Sequence, residues 1–197
     1  MASGSSNPAP RASSLGADLL RQGRSLVLWL LLALLLRWIV IEPRWIPSGS
    51  MLPTLQLRDR ILVEKVRPRL KRPLHPGQIV VFHPPPPLLE AGYDPDAALI
   101  KRVVAVAGDA VEVHDGLLWR NGLAQPSPWG GPPIDYTLRP VRVPADHVMV
   151  LGDNRNSSLD SHLWGPLPER EVLGTAVWRY WPPQRFGPIR FSAAGES

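Results

Sequence analysis

Cysteine is absent from the 197 residues. That excludes a disulfide-stapled fold, a zinc ribbon and a thiol nucleophile. It sets no redox compartment, because a chain without thiols is safe in either. Lysine is nearly absent: Lys65, Lys71 and Lys101 are the only lysines among 22 basic residues. In a chain that uses arginine by default, each lysine asks what arginine could not do there. Long apolar runs are scarce as well, and only residues 25–41 form one. The folded part also has little excess base. The formal net charge is +5, but Arg11, Arg21, Arg24 and Arg37, set against Asp18, supply most of it before residue 42. A nucleic-acid binder concentrates its charge in the folded part, so no nucleic-acid partner is expected. What the chain does have is 24 prolines and 16 glycines beside 44% hydrophobic residues. That composition describes a loop-rich globular protein.

Three segments follow. Residues 1–24 are rich in Ser, Ala and Pro at their start and basic toward their end, which predicts a disordered cytoplasmic tail. Residues 25–41, SLVLWLLLALLLRWIVI, would span about 25 Å as a helix, the lower limit for a hydrocarbon core of about 30 Å. Arg37 lies near the far end and can snorkel, with Trp38 and Trp45 as interfacial anchors. No small-residue cleavage site follows, so an uncleaved transmembrane signal-anchor is favoured over a removed leader. A buried core helix is the plainer alternative, but this run is apolar around its whole circumference. The basic flank predicts the N-terminus in the cytoplasm. Residues 42–197 then form an extracytoplasmic domain, on the periplasmic or lumenal side of a cytoplasmic or thylakoid membrane.

That domain reads as mainly β. Ile61–Val66, Gln78–Phe82, Leu99–Val106, Ala110–His114, Leu117–Arg120, Val141–Val143, His147–Leu151 and Thr175–Tyr180 are short runs rich in β-branched and apolar residues. Asp115-Gly116 and Asn121-Gly122 carry tight-turn chemistry. Residues 83–96, with prolines at 84–87, are expected to be an extended loop without helix or strand. A small irregular insertion is expected near 110–147, including the excursion at 122–140.

Three places could carry chemistry. PSGSMLPTL, residues 47–55, sets Ser48 and Ser50 around Gly49, a turn able to expose a hydroxyl beside backbone N–H groups. Alone it reads more often as a linker. Lys101 lies in an apolar β-branched run, where burial would lower its pKa and let a neutral amine act as a base. Arginine cannot do this. An exposed Lys–Arg pair on a sheet edge is the alternative. Residues 151–168 hold a dense set of Asp, Asn, Ser and Gly, either a structured loop or a solvated one.

In chain order, SGSMLPTL (48–55), RDRILVEK (58–65), KRVVAVAGD (101–109) and GDNRNSSLDSH (152–162) follow the apolar run. This series resembles the boxes of the bacterial type I signal peptidases, peptidase family S26. DSH followed by WGPLP is similar to the cyanobacterial and plastid thylakoid branch, and the lack of a transit-type leader points to a bacterium. The resemblance implies an antiparallel β-sheet catalytic domain behind one N-terminal transmembrane helix. It also implies a serine endopeptidase that removes signal peptides after small residues at −1 and −3. Ser50 would be the nucleophile and Lys101 the general base. Ser48 and the Ser50 N–H would form the oxyanion hole. Ser158 would orient the lysine amine and Asp160 would support it, with Asp153, Arg155 and Arg102 in structural roles. Ile46, Pro47, Met51, Leu55, Leu99 and Ile100 would line the small-residue pockets. Partners implied are preproteins and membrane lipid, with the enzyme a monomer near the export translocon. No cofactor or metal is implied. Two departures stand out: Arg58-Asp59 where the pattern has Gly-Asp, and His162 where it has arginine.

Rival readings fit less well. A Ser-His-Asp hydrolase would need a G-x-S-x-G elbow, and penicillin-binding chemistry an S-x-x-K; the chain has neither. Soluble self-cleaving repressors share Ser–Lys chemistry but lack the span and the last box. A silent anchored binding protein would not need both members of the pair.

Overall fold

The computed structural model describes residues 14–125, 127 and 131–189. The start of the expected disordered tail, residues 1–13, lies outside them. The chain divides between Ile39 and Val40 into two units. In the first, α1 (Ser14–Val40) makes the apolar run helical and begins well before it. Leu26, Trp29 and Leu35 are exposed along α1. The side chain of Trp38 lies outside the described ones, as do those of Leu36 and Ile39. Among the described residues, no helix is long and apolar enough to cross a membrane.

The second unit is built on two antiparallel sheets. Its strands are β1 (Ile41–Trp45), β2 (Arg60–Glu64), β3 (Ile79–Phe82), β4 (Leu99–Val106), β5 (Ala110–His114) and β6 (Leu117–Arg120). They continue as β7 (Leu123–Gln125), β8 (Leu138–Arg142), β9 (His147–Leu151), β10 (Leu167–Pro168), β11 (Val172–Trp181) and β12 (Gly187–Pro188). The larger sheet has the order β1-β2-β11-β3-β4-β9-β10, with β12 also on β11. The smaller has the order β7-β6-β5-β8.

The side-chain pattern explains the layering. In β3 every residue is buried. Ile79 and Val81 enter a cluster with Ile46, Met51, Leu55, Ile61 and Val63, whereas Val80 and Phe82 enter another with Val103, Val148 and Val150. A short uninterrupted apolar run is what a strand covered on both faces requires. A third cluster joins the sheets: Val104 and Ala105 from β4 and Met149 and Leu151 from β9 pack on Val111, Val113 and Leu118. Asp115-Gly116 and Asn121-Gly122 take positive φ at both residues, closing the hairpins β5–β6 and β6–β7 with primed turns.

Four expectations are corrected. Pro43 hid β1, yet an edge strand tolerates a proline, and β1 ends the larger sheet. The 83–96 segment contains a short helix, α3 (Pro86–Glu90), after another at Val66–Arg69, α2. Prolines in a first turn lose no intrahelical donor, and Leu88 is buried beneath it. The expected irregular insertion holds the smaller sheet, formed by Ala110–His114, Leu117–Arg120, Leu123–Gln125 and Leu138–Arg142. β7, β10 and β12, of two or three residues each, are too short to leave a period in the sequence.

Candidate active site

Ser50 and Lys101 are 51 residues apart in the chain and meet in the fold. The Lys101 Nζ lies 2.9 Å from the Ser50 Oγ, and both side chains are buried. The loop that carries Ser50 follows β1 and is folded by local bonds: Leu52 N–H donates to the Gly49 carbonyl and Leu55 N–H to that of Met51. Ser48 Oγ lies 3.3 Å from Ser50 Oγ. Lys101 is carried by β4, opposite Val80 of β3. Burial pulls its pKa below the ordinary lysine value, while the charges of Asp160 and Asp153 oppose that fall.

A second segment, running from the end of β9 through a 3-10 turn at Arg155–Ser157, clasps the Ser50 loop. Asn154 N–H donates to the Ser50 carbonyl at 3.0 Å, and Asn154 Nδ2 to that of Gly49 at 3.2 Å. The backbones approach so closely at Gly152 that a Cβ there would lie 2.5 Å from the Ser50 carbonyl oxygen and 2.2 Å from Ser158 Oγ. Only glycine fits. Asp153 accepts from Arg102 through both oxygens, each at 2.7 Å, and Arg102 also donates to the Gly77 carbonyl. This bidentate pair is fully inside the protein. Arg155 keeps a buried Nη1 without a hydrogen-bond partner.

Asp160 accepts from Gly152 N–H at 2.8 Å and from His162 Nδ1 at 2.7 Å. The His162 ring stacks on Tyr136, with centroids 4.0 Å apart and planes 12° apart. Burial pushes the Tyr136 phenol well up, and the Asp160 charge adds to this. Ser158 differs from what the resemblance implies. Among the described residues its Oγ, buried against Gly152, has no hydrogen-bond partner, and the Lys101 amine bonds Ser50.

A cavity of about 500 Å³ opens onto the pair, lined by Pro47, Leu99 and Ile100 as expected, and also by Tyr93, Ala98 and Leu159. Ile46, Met51 and Leu55 do not line it. They belong to a core cluster, Met51 and Leu55 being fully buried. Arg58 has φ +67°, which accounts for a glycine being usual there. The next residue, Asp59, is buried and paired with Arg179 and Arg185. Sequence reasoning assigned no role to Asn154, Gly152, Tyr93, Leu159 or Tyr136. For Gly152, Asn154 and Leu159 a signal existed, their place in the GDNRNSSLDSH box. Tyr93 and Tyr136 come from segments outside the motifs, which no local spacing reveals.

These sheets, and a serine and lysine joined at the mouth of an apolar cleft, suit a hydrolase acting on extended chains. Comparison with known proteins gives the class: residues 19–181 match the family described as "Signal peptidase, peptidase S26", and the chain belongs to that family. A Synechocystis protein named "Probable signal peptidase I-1" is 49% identical over 164 residues, 83% of each chain. "Signal peptidase I" of Leptolyngbya laminosa is 42% identical over 182 residues, 91% of this chain and 89% of that one. An Arabidopsis thaliana protein, "Probable thylakoidal processing peptidase 2, chloroplastic", is 48% identical over 157 residues, 80% of this chain and 42% of that one.

Proposed function

We propose that this chain is a membrane-anchored endopeptidase that removes N-terminal signal peptides from exported preproteins by a Ser–Lys acyl-enzyme mechanism. The observation that carries the reading is the 2.9 Å contact between the Lys101 amine and the Ser50 hydroxyl at a buried site facing an open cleft. Neutral Lys101 takes the Ser50 proton as Oγ attacks the scissile carbonyl. The developing oxyanion is held by the Ser48 hydroxyl and the Ser50 N–H. Collapse breaks the peptide bond, and Lys101 returns the proton to the leaving amine. Lys101 then deprotonates a water that releases the acyl group from Ser50. Because the base works neutral and burial lowers its pKa, activity should rise with pH through that lowered pKa.

The substrate lies extended in the cleft. Pro47, Leu99, Ile100 and Ala98 leave room for small side chains at −1 and −3, with Tyr93 and Leu159 at the rim. Asp153 with Arg102, Arg155 and Asp160 support the base. The apolar run 25–41 anchors the chain in the membrane with the N-terminus in the cytoplasm and residues 42–197 outside. The basic residues Arg21 and Arg24 before the run support that orientation. Within this reading the enzyme works as a monomer near the export translocon, in a cytoplasmic or thylakoid membrane.

Processing of a model preprotein tests the mechanism. Ser50→Ala and Lys101→Arg should both lose activity by at least about a thousandfold while remaining membrane-bound. Activity retained by Lys101→Arg, whose guanidinium stays charged, would remove lysine as the base. Protease treatment of intact vesicles tests the orientation, with residues 42–197 reachable from the non-cytoplasmic face alone.

A further inference from the structure

Lys101 faces two carboxylates, and they are not equivalent. Asp153 is held by both oxygens on Arg102, a permanent cation, so much of its charge is answered inside the pair. Asp160, fully buried, is answered differently. Among the described residues its side-chain partners are the Gly152 N–H and the N–H and Nδ1 of His162, and its one ion-pair partner is His162. An arginine in that place would be charged at every working pH, whereas an imidazole need not be. The His162 ring is fixed from the other side by the Tyr136 stack.

We propose that His162 and Tyr136 are positioning residues that hold Asp160 toward the Lys101 base and set how much of the Asp160 charge Lys101 feels. Tyr136 comes from the stretch before β8, so the smaller sheet's loop reaches the catalytic machinery through this ring pair. The charged and titratable groups around it are few. Asp160 lies on the same short helix, α4 (Ser161–Trp164), as its N-cap, with His162 within that helix. Arg155, from the turn after β9, acts on Tyr136 and Asp160, and Asp135 acts on Tyr136 from its own segment. Lys101 of β4 lies within the field of Asp160, which works to keep its amine protonated. A permanent cation in the place of His162 would offset that field and favour the neutral amine.

The inference rests on Lys101 being the base, and the experiment separates the two. The chain has only three lysines, so ¹³Cε-lysine NMR of the full-length protein in detergent gives three titration curves. Lys65→Arg and Lys71→Arg assign them. His162→Arg should lower the Lys101 midpoint by about half a pH unit or more, and His162→Gln should leave it equal to or above that of the wild type. The rising limb of kcat/KM should move the same way. Lys101 midpoints that coincide in all three proteins overturn the inference. A midpoint that moves while the activity limb does not would keep the coupling and instead remove Lys101 as the base. Tyr136→Ala, assayed well below its melting temperature, should lower kcat about tenfold with KM little changed, and Tyr136→Phe should recover most of that loss. If Tyr136→Ala lowers only the melting temperature, Tyr136 is structural and its part in the inference falls.

Discussion

At the scale of single residues, the site is organised around a group that the fold would be more stable without. Lys101 is 5% exposed, and burial lowers its pKa. Below the ordinary lysine pKa, folding must either expel a proton from this amine or bury its charge. That cost grows as pH falls from the unfolded-state pKa to the lowered folded-state value, and is constant below it. Lys101→Met keeps the apolar stem and removes the cost. It should abolish processing yet raise the melting temperature by about 2–4 °C or more at neutral pH. The gain should shrink at pH 10, where the unfolded-state amine is already losing its proton. Thermal unfolding of both proteins at the two pH values checks this, and a gain independent of pH would contradict the buried-amine account. The scarcity of lysine made this residue conspicuous in the sequence. Its partner Ser50 was conspicuous only through the ordered motif series, because Ser-Gly-Ser between prolines is more often linker chemistry.

At the scale of elements, two loops from distant parts of the chain are held face to face by Gly152 and Asn154. Gly152→Ala pushes a methyl group toward the Ser50 carbonyl oxygen and Ser158 Oγ, and the first of these belongs to the backbone that carries the nucleophile. The loop must shift, and displacements near an ångström at a reacting group cost about a hundredfold. Gly152→Ala should therefore lose about a hundredfold in kcat/KM while far-ultraviolet circular dichroism stays that of the wild type. Activity within a few-fold of wild type would show that the loops have slack. How much of this was legible follows from where each signal resides. β3, β4 and β9 were found because buried strands leave compact apolar runs. β1 was missed because Pro43 argues against a strand unless its edge position is known. α3 was missed because four prolines in a row mask the two leucines that follow. The core positions Ile46, Met51 and Leu55 were mistaken for cleft walls, since an apolar residue beside a nucleophile can face either way. Tyr136 was illegible: its stack with His162 joins segments 26 residues apart, through a loop with no period.

At the scale of the whole chain, the three core clusters all lie in the unit that begins at Val40, and Ser50 and Lys101 lie in it too. The boundary is sharp: the Val40 carbonyl accepts from Lys65 N–H, so a cut before Val40 keeps this contact and a cut after it does not. Residues 40–197 should fold alone and hydrolyse a short soluble peptide with a kcat/KM within a few-fold of the full chain, because the described residues that line the cleft lie between Pro47 and Leu159. If the apolar run is the anchor, its contribution is to hold enzyme and membrane-held substrate in one thin layer, raising the effective concentration of each for the other. Processing of a preprotein inserted in vesicles should then fall by about a hundredfold on removal of residues 1–39, and fusion of an unrelated transmembrane helix before Val40 should restore it. Equal losses on peptide and preprotein would mean that residues 1–39 support the fold. Equal retention of both would mean that anchoring is dispensable to the reaction.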